Sequence, residues 1–116
     1  MHELSVAHAI VATVIEAVPP DASVDVVRVR VGTMSGVVAT TLEYAWDVAT
    51  VGSRLDGSSI AVETMPVTVR CQPCGRVVTP VVGVRCPDCG TPSDEFVTGR
   101  ELEVVSVDLS ESASVS

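Results

Sequence analysis

The sequence contains no lysine, and only 3% of its 116 residues are aromatic. Seven arginines against 15 Asp and Glu residues give a formal net charge of -8 at pH 7. A protein that binds the phosphate backbone of a nucleic acid needs a basic face, so this composition argues against a nucleic-acid partner. With so few aromatic residues, a hydrophobic core has to be built mainly from valine, a residue typical of β-strands.

The sequence also lacks any apolar run near the roughly 20 residues that span a bilayer, and it lacks the basic start and apolar stretch of a secretory signal. We therefore expect a cytoplasmic protein without a membrane partner. Its 116 residues allow one small domain with at most an appendage. No nucleophile stands beside a base in the sequence pattern, and no open metal site stands beside an acid-base residue, so no enzymatic activity is predicted.

Hydrophobic periodicity predicts an α+β fold. Helical spacing indicates one helix from Leu4 to Val18 and a second that begins at Ser35-Gly36 and closes at Gly52. Alternating spacing indicates strands in SVDVVRVRVG, SSIAVET and RELEVVSVDLS. We predict a small three-stranded sheet with two helices on one face, formed by a domain of residues 1–65 and 99–110. The polar tail at 111–116 is expected to be disordered.

Residues 66–98 are predicted to form a second domain, because this segment has too few apolar residues for a core of its own. It contains CQPCG and CPDCG, two Cys-x-x-Cys-Gly turns. Each turn can bring two thiolates to one metal ion, and four thiolates complete a tetrahedral site without an open position, as in structural zinc sites. We predict an inserted zinc ribbon whose ligands are Cys71, Cys74, Cys86 and Cys89.

Other interpretations of the four cysteines stay open on sequence grounds. Two disulfides or a redox pair of thiols are alternatives, although a reducing compartment disfavours structural disulfides. CPDCG also resembles a knuckle of rubredoxins, which hold one iron in four thiolates, but rubredoxins bury several aromatic residues and only Phe96 lies near here. The alternative functions are therefore a rubredoxin-like iron electron carrier and a zinc-ribbon adaptor that binds only protein.

The sequence begins MHELS, which places an imidazole and a carboxylate directly behind an amine. The Met1 amine, the His2 backbone nitrogen and the His2 imidazole can close fused chelate rings on one cation, and Glu3 can add its backbone nitrogen or its carboxylate. This nitrogen-rich, near-planar set suits Ni(II) or Cu(II). The ordinary interpretation is an exposed histidine followed by a carboxylate that stabilises the helix dipole. We interpret His8 as a surface residue rather than an auxiliary donor.

Taken together, these motifs resemble the HypA family, the nickel-insertion accessory proteins of [NiFe]-hydrogenase maturation. The resemblance covers nearly the whole chain and rests on MHELS, VRVRVG leading into MSGV, LEYAWDVA, CQPCG with CPDCG, and GRELEVVSVD. It implies a non-enzymatic nickel metallochaperone that binds Ni(II) transiently and Zn(II) structurally. The family's nickel motif corresponds to Met1, His2 and Glu3, and its zinc ligands correspond to the four cysteines.

The resemblance also implies partners. Family members act with a GTPase of the HypB type, deliver nickel to the hydrogenase large subunit and in some organisms serve urease maturation.

The turn before the second helix often carries an acidic residue in the family, whereas this chain has Thr33 and Met34 there. Valine-rich strand edges are compatible with a homodimer.

Overall fold

A computed structural model of the chain describes residues 2–110. The elements are α1 (His2–Ala17), β1 (Ser23–Gly32), α2 (Ala39–Ala49), β2 (Ser59–Met65), β3 (Thr68–Cys71), β4 (Arg76–Val78), β5 (Phe96–Thr98) and β6 (Leu102–Ser110). They form two three-stranded sheets, ordered β2-β1-β6 and β4-β3-β5. The predicted α+β class with a cysteine-bearing insert is confirmed. Met1 and the tail predicted to be disordered lie outside the described residues. Neither helix within residues 2–110 combines the length and the hydropathy of a membrane-spanning segment.

The first sheet is built around β1, which runs parallel to β2 and antiparallel to β6. Its residues Val27, Val29 and Val31 are almost fully buried and share one core cluster with side chains of α1 and α2. Arg28 and Arg30 point to the opposite face, where they pair with carboxylates of the two neighbouring strands. Both helices therefore cover one face of the sheet, because the alternation of valine and arginine gives β1 one apolar and one charged side.

The centre of this core is the single tryptophan, Trp46 of α2, which is 1% exposed. Its indole Nε1–H donates a hydrogen bond to Ser58 Oγ at 3.2 Å, and the Ser58 hydroxyl donates in turn to the Leu55 carbonyl at 2.6 Å. The buried polar atom of the ring therefore has a partner, as a buried tryptophan normally requires. This chain of hydrogen bonds ties α2 to the loop that precedes β2.

The second helix begins at Ala39, so the predicted start at Ser35-Gly36 is wrong. Ser35 Oγ accepts a hydrogen bond from the backbone N–H of Val37 at 3.1 Å, and Gly36 has a φ of 84°. These residues form a turn, since serine hydroxyls readily bind the backbone two residues further on and glycine tolerates a positive φ. Residues 33–38 are consequently a loop that crosses the start of α1.

The last strand carries a β-bulge that its sequence pattern does not reveal. Ser106 pairs with Arg28 and Val104 pairs with Val29, so the intervening Val105 has no partner on β1. The extra residue reverses the alternation. Val104 and Val107 both pack against the core, whereas Val105 is 46% exposed.

The two sheets meet at the carboxyl end of β1. Gly32 N–H donates to the Glu101 carbonyl at 2.8 Å, and Met34 N–H donates to the Gly99 carbonyl at 2.7 Å. A β-carbon at Gly32 would lie 2.1 Å from the Gly99 carbonyl carbon, far inside a normal contact. The segment that returns from the second sheet therefore rests directly on the main chain of β1, and only glycine fits there.

Candidate metal centres

The four predicted cysteine ligands come together at one end of the second sheet. Their Sγ atoms all lie within 4.8 Å of one another; Cys71 and Cys89 are 3.5 Å apart, and Cys74 and Cys86 are 3.9 Å apart. In a tetrahedral zinc site with bonds of about 2.3 Å, sulfur atoms are separated by about 3.8 Å. The cluster therefore has the size of a single four-thiolate metal site.

The backbone of each Cys-x-x-Cys-Gly turn is closed in the same way. Gly75 N–H donates to the Cys71 carbonyl at 2.8 Å, and Gly90 N–H donates to the Cys86 carbonyl at 2.9 Å. Both glycines have a positive φ, 71° and 76°, which explains why each knuckle ends in glycine. The matching conformations present the two pairs of sulfur atoms to a common centre.

The electrostatics of the cluster favour a cation. Cys71 and Cys89 raise the pKa of the Cys74 thiol to about 12, and hydrogen bonding with Thr91 lowers the pKa of Cys89 to about 6. Thiols this close cannot all ionise in the absence of a positive charge, because neighbouring thiolates repel one another. A divalent cation removes that repulsion and stabilises all four thiolates.

The surroundings of the cluster complete a small ribbon. Val69 and Val78 are buried beside Cys71 and Cys86, and the partly buried Phe96 packs against them. An ion pair between Arg76 and Asp88 links the first knuckle to the second. The four cysteines, all within the described residues, are free thiols in this structure.

The second candidate centre is the start of α1. This helix already begins at His2, two residues before the predicted start. The His2 ring is exposed, and its Nδ1 lies 3.6 Å from Glu3 Oε1. The structure therefore brings the His2 and Glu3 side chains together, while Met1, the third predicted nickel ligand, lies outside the described residues.

Glu3 is only 8% exposed, which is unusual for a carboxylate. Its Oε2 accepts a hydrogen bond from the backbone N–H of Val38 at 3.0 Å, directly before the first residue of α2. This hydrogen bond is the main reason why the pKa of Glu3 is lowered. In a capping box, a Glu or Gln in the first turn of the same helix accepts the N–H of the N-cap residue. Here Glu3 of α1 accepts the N–H of Val38, the N-cap residue of α2.

The His2 ring is held on its other side by the same loop. His2 Nε2 lies 3.0 Å from the carbonyl oxygen of Gly36. The sequence patterns place Ser35-Gly36 at the start of the second helix and give residues 35–38 no part in a metal site, although MSGV belongs to the family resemblance. The two contacts that bring this loop to the start of α1 join residues far apart in the sequence. His2 and Gly36 are separated by 34 positions, and Glu3 and Val38 by 35, so local sequence patterns do not reveal either contact. His8, by contrast, is exposed on α1.

An apolar groove of about 350 Å³ lies beside Glu3 between the two helices. Leu4, Tyr44 and Val48 line it, and Tyr44 is 79% exposed. Glu43 and Asp47 flank Tyr44 on the outer side of α2. Exposed apolar side chains that cluster in this way are typical of protein contact surfaces.

Comparison with known proteins gives one consistent family. The family model described as "Hydrogenase/urease nickel incorporation, metallochaperone, hypA" matches residues 1–109. The hydrogenase maturation factor HypA of Roseiflexus sp. (strain RS-1) is 42% identical over 112 residues, covering 93% of this chain and 91% of that protein. HypA of Chloroflexus aurantiacus (strain ATCC 29366 / DSM 635 / J-10-fl) is 40% identical over 114 residues, covering 93% and 98%.

Solved structures agree on the fold. A solution structure of HypA protein superposes with a TM-score of 0.69 at 21% identity, covering 94% of this chain and 96% of that one. The solution structure of the Ni metallochaperone HypA from Helicobacter pylori gives a TM-score of 0.66 at 20% identity, covering 92% and 96%. At these identities the likeness establishes a shared architecture.

Proposed function

The chain belongs to the HypA family, and from that premise we propose that it carries Ni(II) at its amino terminus and releases it during [NiFe]-hydrogenase maturation. The observation that carries the proposal is the convergence of His2 Nδ1 and Glu3 Oε1, 3.6 Å apart at the first turn of α1. The nickel donors are the Met1 amine, the His2 backbone nitrogen, the His2 imidazole and a donor from Glu3. The protein binds and releases its cargo and performs no catalysis.

The position of these residues in the helix suits nickel binding. The first N–H groups of an α-helix have no carbonyl acceptor within the helix. His2 and Glu3 are the first two residues of α1, so their amide nitrogens can bind a metal without breaking a helical hydrogen bond. An amide whose proton is displaced by nickel and released to water becomes an anion, and the positive end of the helix dipole stabilises that charge.

We propose that Glu3 gives nickel its backbone nitrogen rather than its carboxylate. The carboxylate is nearly buried and accepts the Val38 N–H, so withdrawing it would leave the start of α2 without that acceptor. The side chain then acts by holding the first turn of α1 against α2. An exposed imidazole and an exchangeable nitrogen donor set leave the metal accessible from solvent, as delivery to another protein requires.

The cysteine site is proposed to hold structural Zn(II), with Cys71, Cys74, Cys86 and Cys89 as ligands. Four thiolates leave no position for water or substrate, and the two knuckles are spaced to share one ion. Iron in the same site is the rubredoxin-like alternative. Metal analysis with an absorption spectrum separates the two, because iron in four thiolates absorbs visible light and zinc does not.

Delivery requires a partner that approaches the amino terminus. We propose a cytoplasmic role with a GTPase of the HypB type, the hydrogenase large subunit as recipient, and urease maturation as a second client where that enzyme is present. The groove lined by Leu4, Tyr44 and Val48 adjoins Glu3 and offers an apolar contact within reach of the metal. A homodimer through the free edges of β2 or β6 is compatible with the sheet order.

The test is a calorimetric Ni(II) titration of zinc-loaded protein with a native Met1 terminus. We expect about one nickel per chain in the wild type and none at this site in His2→Ala. His8→Ala is the matched control, because it removes the other histidine of α1 and should leave binding unchanged. Equal binding by wild type and His2→Ala would contradict the proposal and favour a zinc-ribbon adaptor.

The missing lysines provide a second test of the same site. Because the sequence has no lysine, an amine-selective acetylating reagent can modify only the terminal amine. Acetylation is expected to abolish nickel binding while leaving the fold intact, since it removes one donor. Undiminished affinity after complete acetylation would exclude the Met1 amine as a ligand.

A further inference from the structure

We propose that the main-chain carbonyl of Gly36 is a positioning group for nickel, because it selects the His2 tautomer that presents Nδ1 to the metal. The inference rests on the proposed nickel site and adds to it a residue outside the amino-terminal motif. It starts from the 3.0 Å contact between His2 Nε2 and the Gly36 oxygen.

The hydrogen bond itself determines which nitrogen carries the proton. A carbonyl oxygen can only accept a hydrogen bond, so Nε2 has to be the donor at this distance. A neutral imidazole has a single N–H, and when Nε2 carries it, Nδ1 is left with a free lone pair. The opposite tautomer would place two acceptors 3.0 Å apart, which is repulsive.

Covalent geometry makes Nδ1 the nitrogen that nickel needs. Nδ1 is bonded to Cγ, the ring carbon attached to Cβ, so Nδ1 and the His2 backbone nitrogen can bind the same metal ion in a small chelate ring. Nε2 lies on the far side of the ring and cannot reach the same metal. Metal-bound histidines commonly donate their second ring N–H to a carbonyl or carboxylate, which fixes the ring orientation. The Gly36 carbonyl occupies that position.

The surroundings of Nδ1, on the other side of the His2 ring, also agree with the Nε2–H tautomer. Glu3 Oε1 lies 3.6 Å from His2 Nδ1, beyond normal hydrogen-bond distance, while Oε2 of the same carboxylate is held by Val38. An unprotonated Nδ1 therefore faces a carboxylate oxygen, and both atoms present lone pairs. A cation bound at Nδ1 is attracted by the carboxylate, so the arrangement favours metal at this nitrogen.

Substitution of Gly36 is expected to displace its carbonyl without creating a steric clash. Its φ of 84° is one that side-chain-bearing residues rarely adopt, and a β-carbon added there would meet nothing within 4 Å. Gly36→Ala therefore acts by changing the backbone conformation, without a steric clash. Gly57 is the matched control, because it has a φ of 91°, has equally open space around it and lies in the loop before β2.

The experiment has two readouts on zinc-loaded protein. Two-bond ¹H–¹⁵N spectra of the nickel-free chain, recorded where His2 is neutral and assigned with His8→Gln, report the tautomer directly. We expect the Nε2–H form in the wild type and in Gly57→Ala, and a mixture of tautomers in Gly36→Ala. Calorimetry should show nickel affinity lower by about 10–100-fold in Gly36→Ala only, the usual effect of losing such an outer partner.

Failure of this inference is distinguishable from failure of the proposed function. A wild-type chain with the Nδ1–H tautomer, or Gly36→Ala with wild-type nickel affinity, would overturn the role of Gly36 even if His2→Ala abolishes binding. The tautomer of the wild-type chain is measured without Gly36→Ala, so poor folding of that variant leaves the measurement intact. If the wild type binds no nickel, the proposed function fails, and the role of Gly36 toward nickel fails with it.

Discussion

Gly32→Ala tests the contact that joins the two sheets. The new β-carbon would lie 2.1 Å from the Gly99 carbonyl carbon and 2.5 Å from the Arg100 nitrogen. Carbon atoms in contact are normally about 3.5–4.0 Å apart, so the two backbone segments have to separate by more than about 1 Å. Both segments are main chain, and neither can relieve the overlap by changing a rotamer.

The free-energy cost follows from what such a separation breaks. The hydrogen bonds from Gly32 N–H to Glu101 and from Met34 N–H to Gly99 both cross this contact, and each is worth about 0.5–1.5 kcal/mol net. Overpacking in a rigid environment adds about 1–3 kcal/mol. We expect the free energy of unfolding to fall by about 2–6 kcal/mol, at or above the upper end of the range for most single substitutions.

Denaturant unfolding followed by Trp46 fluorescence measures the loss, because Trp46 is buried in the core of the first sheet. Gly57→Ala is the control for adding a methyl group to glycine, and it costs only the strain of a positive φ, about 1–2 kcal/mol. Amide exchange locates the damage, since only Gly32→Ala should expose the Gly32 and Met34 amides. A Gly32→Ala protein with wild-type stability and wild-type protection at these amides would refute the close contact.

Four further predictions concern other parts of the molecule. Glu3→Gln should reduce stability at neutral pH and flatten the acid side of the stability profile. The Val38 N–H lowers the pKa of Glu3 in the folded state. The stabilisation by the Glu3 carboxylate is therefore complete above its unfolded-state pKa and disappears as pH falls through its folded-state pKa. A pH profile of stability parallel to that of the wild type would contradict this prediction. Removal of zinc by a chelator should abolish the chemical-shift dispersion of the β3, β4 and β5 amides in NMR spectra, while the β1 amides stay dispersed. The reason is that zinc binding contributes about 10–16 kcal/mol of folding free energy in small zinc-finger systems. A ribbon that stays ordered without metal would contradict this prediction. Ser58→Ala should cost about 1–3 kcal/mol in denaturant unfolding, since Trp46 Nε1–H is left buried without its acceptor; an unchanged midpoint would show that the indole finds another partner. Tyr44→Asp should weaken capture of a HypB-type GTPase in a binding assay while nickel affinity stays unchanged, because the exposed ring lines the apolar groove; unaltered capture would exclude this groove as the contact.

The sequence patterns predicted those features whose information is local. The Cys-x-x-Cys-Gly spacing predicted a shared metal site, and the four sulfur atoms are indeed together. The alternation of valine and arginine in β1 predicted its two faces correctly. These predictions succeed because period and spacing act on neighbouring residues, where backbone geometry alone determines which side chains share a surface.

The features that were missed depend on contacts distant in sequence. The start of α2 was misplaced because its capping carboxylate belongs to Glu3, 35 residues earlier. The bulge at Val105 depends on the register against β1, which composition does not encode. The role of Gly36 toward His2 was invisible for the same reason, since a carbonyl oxygen is present at every residue and only the fold selects one.

The strand ends also determine how readily the two halves of the molecule can be taken apart. Met65, the last residue of β2, is paired with Gly32, and Leu102, the first residue of β6, is paired with Val31. Both cut points therefore flank the same end of β1, separated by two strand spacings or about 10 Å. An extended residue spans about 3.3–3.6 Å, so a linker of about four residues can replace residues 66–101. The core cluster beneath α1 and α2 contains no side chain from that segment. Excision of the segment would therefore leave the core in place, and its cost would be the two hydrogen bonds that Gly32 and Met34 donate to the carbonyls of Glu101 and Gly99.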